Sequence, residues 1–164
     1  MKFSFTQRAV LLAFTTCMLS APFQSQTATE ATAAKAQVQR AYVTILTEDG
    51  YQPDLDSDGD VRFKREGRTY FIHVFGDDPG YFRLVLVNVM KIDSEANRAK
   101  VQAAADYVSG HTKVAKVFTV RDNVWLSAEG FAEKPEAYKS VLRRYLSALD
   151  SGARQFVARL APGV

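Results

Sequence analysis

The sequence predicts an α+β domain, an antiparallel sheet with its helices packed on one face, in the order α-β-β-β-β-α-β-β-α. Three observations carry this prediction. Residues 51–90 hold three turn signals, Asp58-Gly59, Glu66-Gly67 and Asp77-Asp78-Pro79-Gly80, that cut an alternating stretch into short runs, the pattern of consecutive antiparallel strands. A second pair of alternating runs, 113–121 and 124–129, is joined by Asp122-Asn123, residues that tolerate the backbone of a tight hairpin. Three segments with apolar residues at helical spacing lie outside these strand groups. Strands and helices segregated in this way give an α+β domain rather than an alternating parallel one.

The elements follow in order. Lys2 and Arg8 flank the start of an apolar run, residues 9–21, about 13 residues long. That length suits the apolar core of an export signal and is too short for an ordinary membrane span. Leu19-Ser20-Ala21 and Ala31-Thr32-Ala33 are the small-residue patterns available for cleavage, which is expected within 21–33. The chain therefore reads as a signal and leader, 1–28, followed by a single α+β domain, 29–164. This organisation predicts a periplasmic or secreted protein that meets the membrane only through its signal. Residues 22–30 are small, polar and aperiodic, and read as a flexible leader. A helix is expected over 31–49, with Val38, Tyr42, Ile45 and Leu46 on one face and Gly50 as a left-handed cap.

In the strand region, Val61 and Phe63 alternate with Arg62 and Lys64, and Tyr70, Ile72 and Val74 alternate with Phe71, His73 and Phe75. In the next strand Phe82, Leu84, Leu86 and Met90 share a face, and Tyr81, Arg83, Val85 and Val87 share the other. A strand apolar on both sides is expected at the centre of the sheet or covered twice. A helix over 94–109 follows, capped by Asp93 or Ser94 and stopped by Gly110, with Val101, Ala104, Ala105 and Val108 inward. The last helix is expected over 135–160, with Gly152 as a kink or stop.

Composition removes several function classes. Hydrophobic residues at 47% and charged residues at 24% describe a globular chain, not a disordered one. The net charge of +3 includes Lys2 and Arg8, so the domain without its signal carries about +1, too little for a nucleic-acid footprint. Cys17 is the only cysteine and lies in the apolar N-terminal run; the domain itself has no thiol for disulfides, zinc or catalysis. No phosphate loop, nucleophile elbow or HExxH motif occurs. No catalytic residue and no cofactor are therefore assigned.

Asp54, Asp56, Asp58 and Gly59 match positions 1, 3, 5 and 6 of a calcium loop, with Asp60 next, but position 12 is Arg65 where a bidentate glutamate belongs. The loop reads as a hairpin turn; the alternative is an envelope sensor holding calcium on Asp54, Asp56, Asp58 and Asp60. His73 reads as a structural imidazole within a strand and His111 as a helix-end donor. If the helices cover one sheet face, aromatic residues on the other face need a partner. Phe71, Phe75, Phe82 and Trp125 are the expected contact residues, and the expected occupants are a second copy of the chain, giving a homodimer, or a captured protein or peptide segment.

The run EDGYQPDLDSDGDVRFKREGRTYFIHVFGDDPGYFRLV, then KID with an alanine-rich helix, then KVAKVFTVRDNVWLSAE, resembles the bacterial YbjN-type domain. The resemblance spans roughly 36–149 and rests on the DxDGD turn, the EGRTY hairpin and the element Asn123-Val124-Trp125. It implies a fold like that of type III secretion chaperones and a role described as sensory transduction regulation. Chaperones of that shape are homodimers that bind extended segments of other proteins. The motifs are structural, so what they imply bears more on fold than on activity.

Overall fold

The structure, a computed structural model, describes the backbone of residues 24–161 and the side chains of 30–161. The expected export signal, with its apolar run and Cys17, lies outside the described residues. Helix α1 (Gln24–Glu48) is followed by strands β1 (Asp54–Leu55), β2 (Val61–Arg65), β3 (Arg68–His73) and β4 (Tyr81–Lys91). Helix α2 (Glu95–His111), strands β5 (Ala115–Val120) and β6 (Asn123–Phe131), a short 3₁₀ turn (Pro135–Ser140) and helix α3 (Leu142–Leu160) are the remaining described elements. The strands form one antiparallel six-stranded sheet, β1-β2-β3-β4-β6-β5. The fold class and element order are those the sequence predicts. Among the described residues, no helix is long and apolar enough to cross a membrane.

Parity places the core. Val61, Phe63, Tyr70, Ile72, Phe82, Leu84, Leu86, Val124, Leu126 and Ala128 are buried on one sheet face. The apolar stripes of the helices cover that face: Val38, Tyr42, Ile45 and Leu46 from α1, Val101, Ala104, Ala105 and Val108 from α2, and Leu142, Leu146, Leu149, Ala153 and Phe156 from α3. Strand β4 is central, between β3 and β6, as its two apolar faces require.

Gly50 ends α1 with φ +87, and the Tyr51 and Gly50 amides donate to the Leu46 and Thr47 carbonyls. This is the expected left-handed cap. Two turns then grip α1. Lys35 Nζ and Gln39 Nε2 donate to the carbonyls of Asp58 and Gly59, and the Gly76 backbone passes so near that a β-carbon there would lie 2.9 Å from the Ala31 carbonyl oxygen.

Several boundaries differ from expectation. The helix begins at Gln24, so residues 24–30 are helical rather than a free leader; alanines and glutamines sustain a helix without an apolar stripe. Helix α2 runs through Gly110 to His111, and Thr112 ends it, its amide donating to the Val108 carbonyl. The β5–β6 turn is Arg121-Asp122, one residue earlier than expected, because Val120 pairs with Asn123 and Arg121 takes the left-handed conformation. The last helix breaks at Val141, not at Gly152. Gly152 lies within α3, where a β-carbon would meet Leu126 at 3.1 Å and Ala115 at 3.2 Å, so it serves close packing of helix on sheet.

Candidate functional site on the open face of the sheet

Residues of the other parity form the face that carries none of the described helices. The strand registers arrange them in rows across the sheet. The first row joins Tyr81 to Phe131, with Phe75 beside them. The second runs His73, Arg83, Glu129, and the third runs Arg62, Phe71, Val85, Ser127, Lys116. The fourth holds Trp125 and Phe118.

The face covers its own centre. Val85 and Ser127 are fully buried although none of the described helices lies over them. Arg83 sends its guanidinium across to within 5.5 Å of the Phe118 ring centroid, a cation–π contact. Glu129 accepts hydrogen bonds from Lys116 Nζ at 2.5 Å and Ser127 Oγ at 2.9 Å, and pairs by charge alone with Arg83, whose Nε lies 3.3 Å away without hydrogen-bond geometry. Burial pushes the Glu129 carboxyl up, but the Lys116 and Ser127 hydrogen bonds outweigh it and hold the group below its ordinary range. At one end the rings form a string, His73–Phe75 at 6.3 Å, Phe75–Tyr81 at 5.0 Å and Tyr81–Phe131 at 5.2 Å between centroids. Phe131 is 79% exposed, the most exposed large apolar side chain described. The surface thus combines exposed aromatic rings with an arginine, the side chains enriched where proteins meet.

Three of the four expected contact residues lie on this face. Phe71 lines a broad cleft of about 880 Å³ with Arg62, Lys64, Val87 and Asn88. Phe75 sits in the ring string, and Trp125 is half-buried with its indole Nε1 donating to Asn88 Oδ1 at 3.2 Å. Phe82 is the exception. It has the parity of Leu84 and Leu86, is fully buried against the helices, and stacks on Tyr138 at 4.1 Å. It is a core residue and leaves the contact set.

The acidic loop is built as a turn. Asp56 Oδ1 accepts the amides of Asp58 and Asp60, Gly59 holds φ +83, and Asp60 Oδ1 accepts the Val74 amide at 2.8 Å. Asp54 forms a bidentate pair with Arg62 across β1–β2, and that hydrogen bonding lowers its pKa. Among the described residues, no three acidic, histidine or cysteine groups converge as a metal site.

His73 closes β3 on the open face, its Nε2 3.8 Å from Asp60 Oδ2. Burial lowers its pKa, against the pull of Asp60, so the ring is neutral near pH 7. His111 stacks on Tyr107 at 3.9 Å at the end of α2.

Sequence reasoning missed three features. Asp150, in the middle of α3, takes hydrogen bonds from Arg65 at 2.5 Å, Arg68 at 3.2 Å and the Tyr70 hydroxyl at 2.9 Å; its signal was a carboxylate following Leu149 in an apolar stripe. The outer edge of β5 is occupied by α2 and its cap. Ser109 Oγ both accepts the Val117 amide at 2.8 Å and donates to the Val117 carbonyl, and Thr112 Oγ1 donates to the Ala115 carbonyl. Third, β4 carries a bulge between Leu86 and Met90, with Asn88 at φ +54.

Comparison with protein-family models, with curated proteins and with solved structures returned no match.

Proposed function

We propose that this protein is a non-enzymatic, exported binding module whose open sheet face takes up a segment of another protein. One observation carries the reading. The three described helices lie on one face of the sheet, and the opposite face presents Phe71, Phe75, Tyr81, Phe118, Trp125 and Phe131 interleaved with Arg83, Lys116 and Glu129. Aromatic and arginine side chains of this kind are the residues that dominate contact energies when a partner excludes water from them.

The sheet edges favour docking onto the face over addition of a strand. Ser109 and Thr112 occupy the outward backbone groups of β5 at Val117 and Ala115. At the other edge β1 is only two residues long and follows Pro53, which has no amide hydrogen. Short edges, prolines and covered backbone are how sheets resist further pairing. The resemblance to the YbjN-type domain supports the same reading, because the chaperones whose fold it implies bind extended segments.

Site-specific photocrosslinking tests it. A photoreactive phenylalanine analogue at Phe71 or Phe131 should give discrete adducts in cells, and one at Arg144, on the exposed side of α3, should not. Adducts with the chain itself identify a homodimer as the occupant; adducts with another protein identify the partner. Equal adducts from all three positions, or none from any, would overturn the proposal.

A further inference from the structure

The bulge in β4 splits the sheet. Val87, Asn88 and Val89 have no partner in the register with β6, and none in the register with β3. Arg68 and Thr69 of β3 pair only with β2. Ladder pairing therefore lapses between Thr69 on one side and Val87–Val89 on the other. Bulges of this kind re-aim side chains and end pairing beside functional sites. On the helix side, the split opens into a cleft of about 570 Å³ between β4 and α3, bounded by Leu86, Val89, Val157, Arg68 and Arg154.

Three properties of the cleft specify a ligand. Its floor is strand backbone outside any ladder, suited to hydrogen bonding an extended main chain. Its α3 wall exposes Val157, which is 55% accessible to water, opposite the half-buried Val89; these offer contact to one apolar side chain. Its cationic rim is under-used. Arg154 enters none of the ion pairs among the described residues, and Arg68, although it touches Asp150, keeps 45% of its side chain exposed. An apolar side chain, an extended backbone and a carboxylate coincide at the C-terminus of a polypeptide. A guanidinium is the side chain best shaped to hold a carboxylate by paired hydrogen bonds.

We propose that this cleft binds the free C-terminus of an extended polypeptide that ends in an apolar residue. The main chain lies along Val87–Val89, the last side chain rests on Val89 and Val157, and the terminal carboxylate meets Arg154 and Arg68. The site is on the helix side of the sheet, so it stands or falls separately from docking on the open face.

The protein contains its own reporter. Trp125 is the only tryptophan, and its indole is hydrogen-bonded to Asn88 in the bulge. Hexapeptides ending in Leu, Val or Phe are titrated into the full chain while Trp125 emission and the indole N–H resonance are followed. Each is used with a free carboxylate and as its C-terminal amide, and decanoate serves as a non-peptide carboxylate. The expected result is saturable binding of at least one free-carboxylate peptide. Amidation and Arg154→Gln each weaken it about tenfold or more, as loss of a hydrogen bond to a charged group implies. Arg144→Gln, an exposed change on the same helix, leaves it unaltered. Equal binding of acid and amide, insensitivity to Arg154→Gln, binding of decanoate as tight as that of the peptides, or no binding into the millimolar range would each overturn the proposal.

Discussion

Replacing Asp150 with alanine removes the single acceptor shared by three donors, and the structure allows its cost to be apportioned. Tyr70 is fully buried and its ring stacks on Phe63 at 5.4 Å, so its hydroxyl cannot swing out to water. Burial and Asp150 push the pKa of that hydroxyl up to about 12, so it is a donor at every working pH. Leaving it unpaired costs about 1–3 kcal/mol. Arg65 has 25% of its side chain exposed and keeps Glu66 at 2.8 Å, so it falls back on a second partner. Arg68 is 45% exposed, and an ion pair that open to water contributes less than about 1 kcal/mol. The total is about 3 kcal/mol, at the lower end of what breaking one side of a buried pair costs. For a domain of this size that corresponds to a fall in Tm of roughly 10 °C. Urea unfolding followed by Trp125 emission measures it as a shift in midpoint at constant slope. Tyr70→Phe alone should cost about 1.5 kcal/mol. In the double variant that cost should largely vanish, leaving a coupling energy on the order of 1 kcal/mol. Full additivity, or an Asp150→Ala variant within about 0.5 kcal/mol of the parent, would refute the account of a shared buried acceptor.

Three further outcomes follow from the packing and the charges. Gly152→Leu should cost on the order of 2–3 kcal/mol by the same urea assay, because even a β-carbon meets Leu126 at 3.1 Å and Ala115 at 3.2 Å; an unchanged midpoint would mean that α3 does not lie this close to the sheet. His73 has a folded-state pKa below the ordinary 6.5 because burial outweighs Asp60. The unfolded chain therefore binds the proton more readily, and the contribution of His73 is complete above about pH 6.5 and is lost as pH falls below it. His73→Gln should then show a shallower loss of stability from pH 7 to 5 than the parent, and parallel curves would contradict the buried, neutral ring. Ser109→Ala leaves the Val117 amide and carbonyl without their side-chain partner. It should lower stability by about 1 kcal/mol and speed amide exchange at Val117, and an unchanged exchange rate would argue against the edge cap.

Much of the fold could be read from local chemistry. Turn glycines and strand parity act within a few residues, so Gly50 as a left-handed cap and the opposed faces of Tyr70, Ile72 and Val74 against Phe71, His73 and Phe75 were legible. Phe82 was misplaced as a contact residue even though its parity with Leu84 and Leu86 pointed inward. What escaped depended on distant partners. Asp150 is meaningful only beside Arg65 and Arg68, more than 80 residues earlier. The break at Val141 carries no Gly or Pro signal; the 3₁₀ turn before it seats Tyr138 on Phe82 and points its hydroxyl at the Gly80 carbonyl. The bulge left little trace for a different reason. Leu86 pairs with Leu126 and Met90 with Val124, so β4 spends four steps where β6 spends two. Both counts are even, so Leu86 and Met90 keep one parity on either side of the slip, and the single mark in the sequence is Asn88, polar at an inward position, whose side chain turns instead to Trp125 on the open face.

The strand order β1-β2-β3-β4-β6-β5 also sets a sequence of events during synthesis. The first four strands pair with their neighbours in the chain as soon as they emerge, through short hairpins of low contact order. The second edge of β4 then waits for β6, which begins at Asn123 after α2 and β5 have been made. During that interval the most apolar strand of the molecule, eventually buried at its centre, is an open edge with no helix α3 over it. An unpaired apolar edge is where a nascent chain misassociates. The step that ends this exposure is the docking of the β5–β6 hairpin, and it, rather than the early meander, is where substitutions would most alter the yield of folded protein.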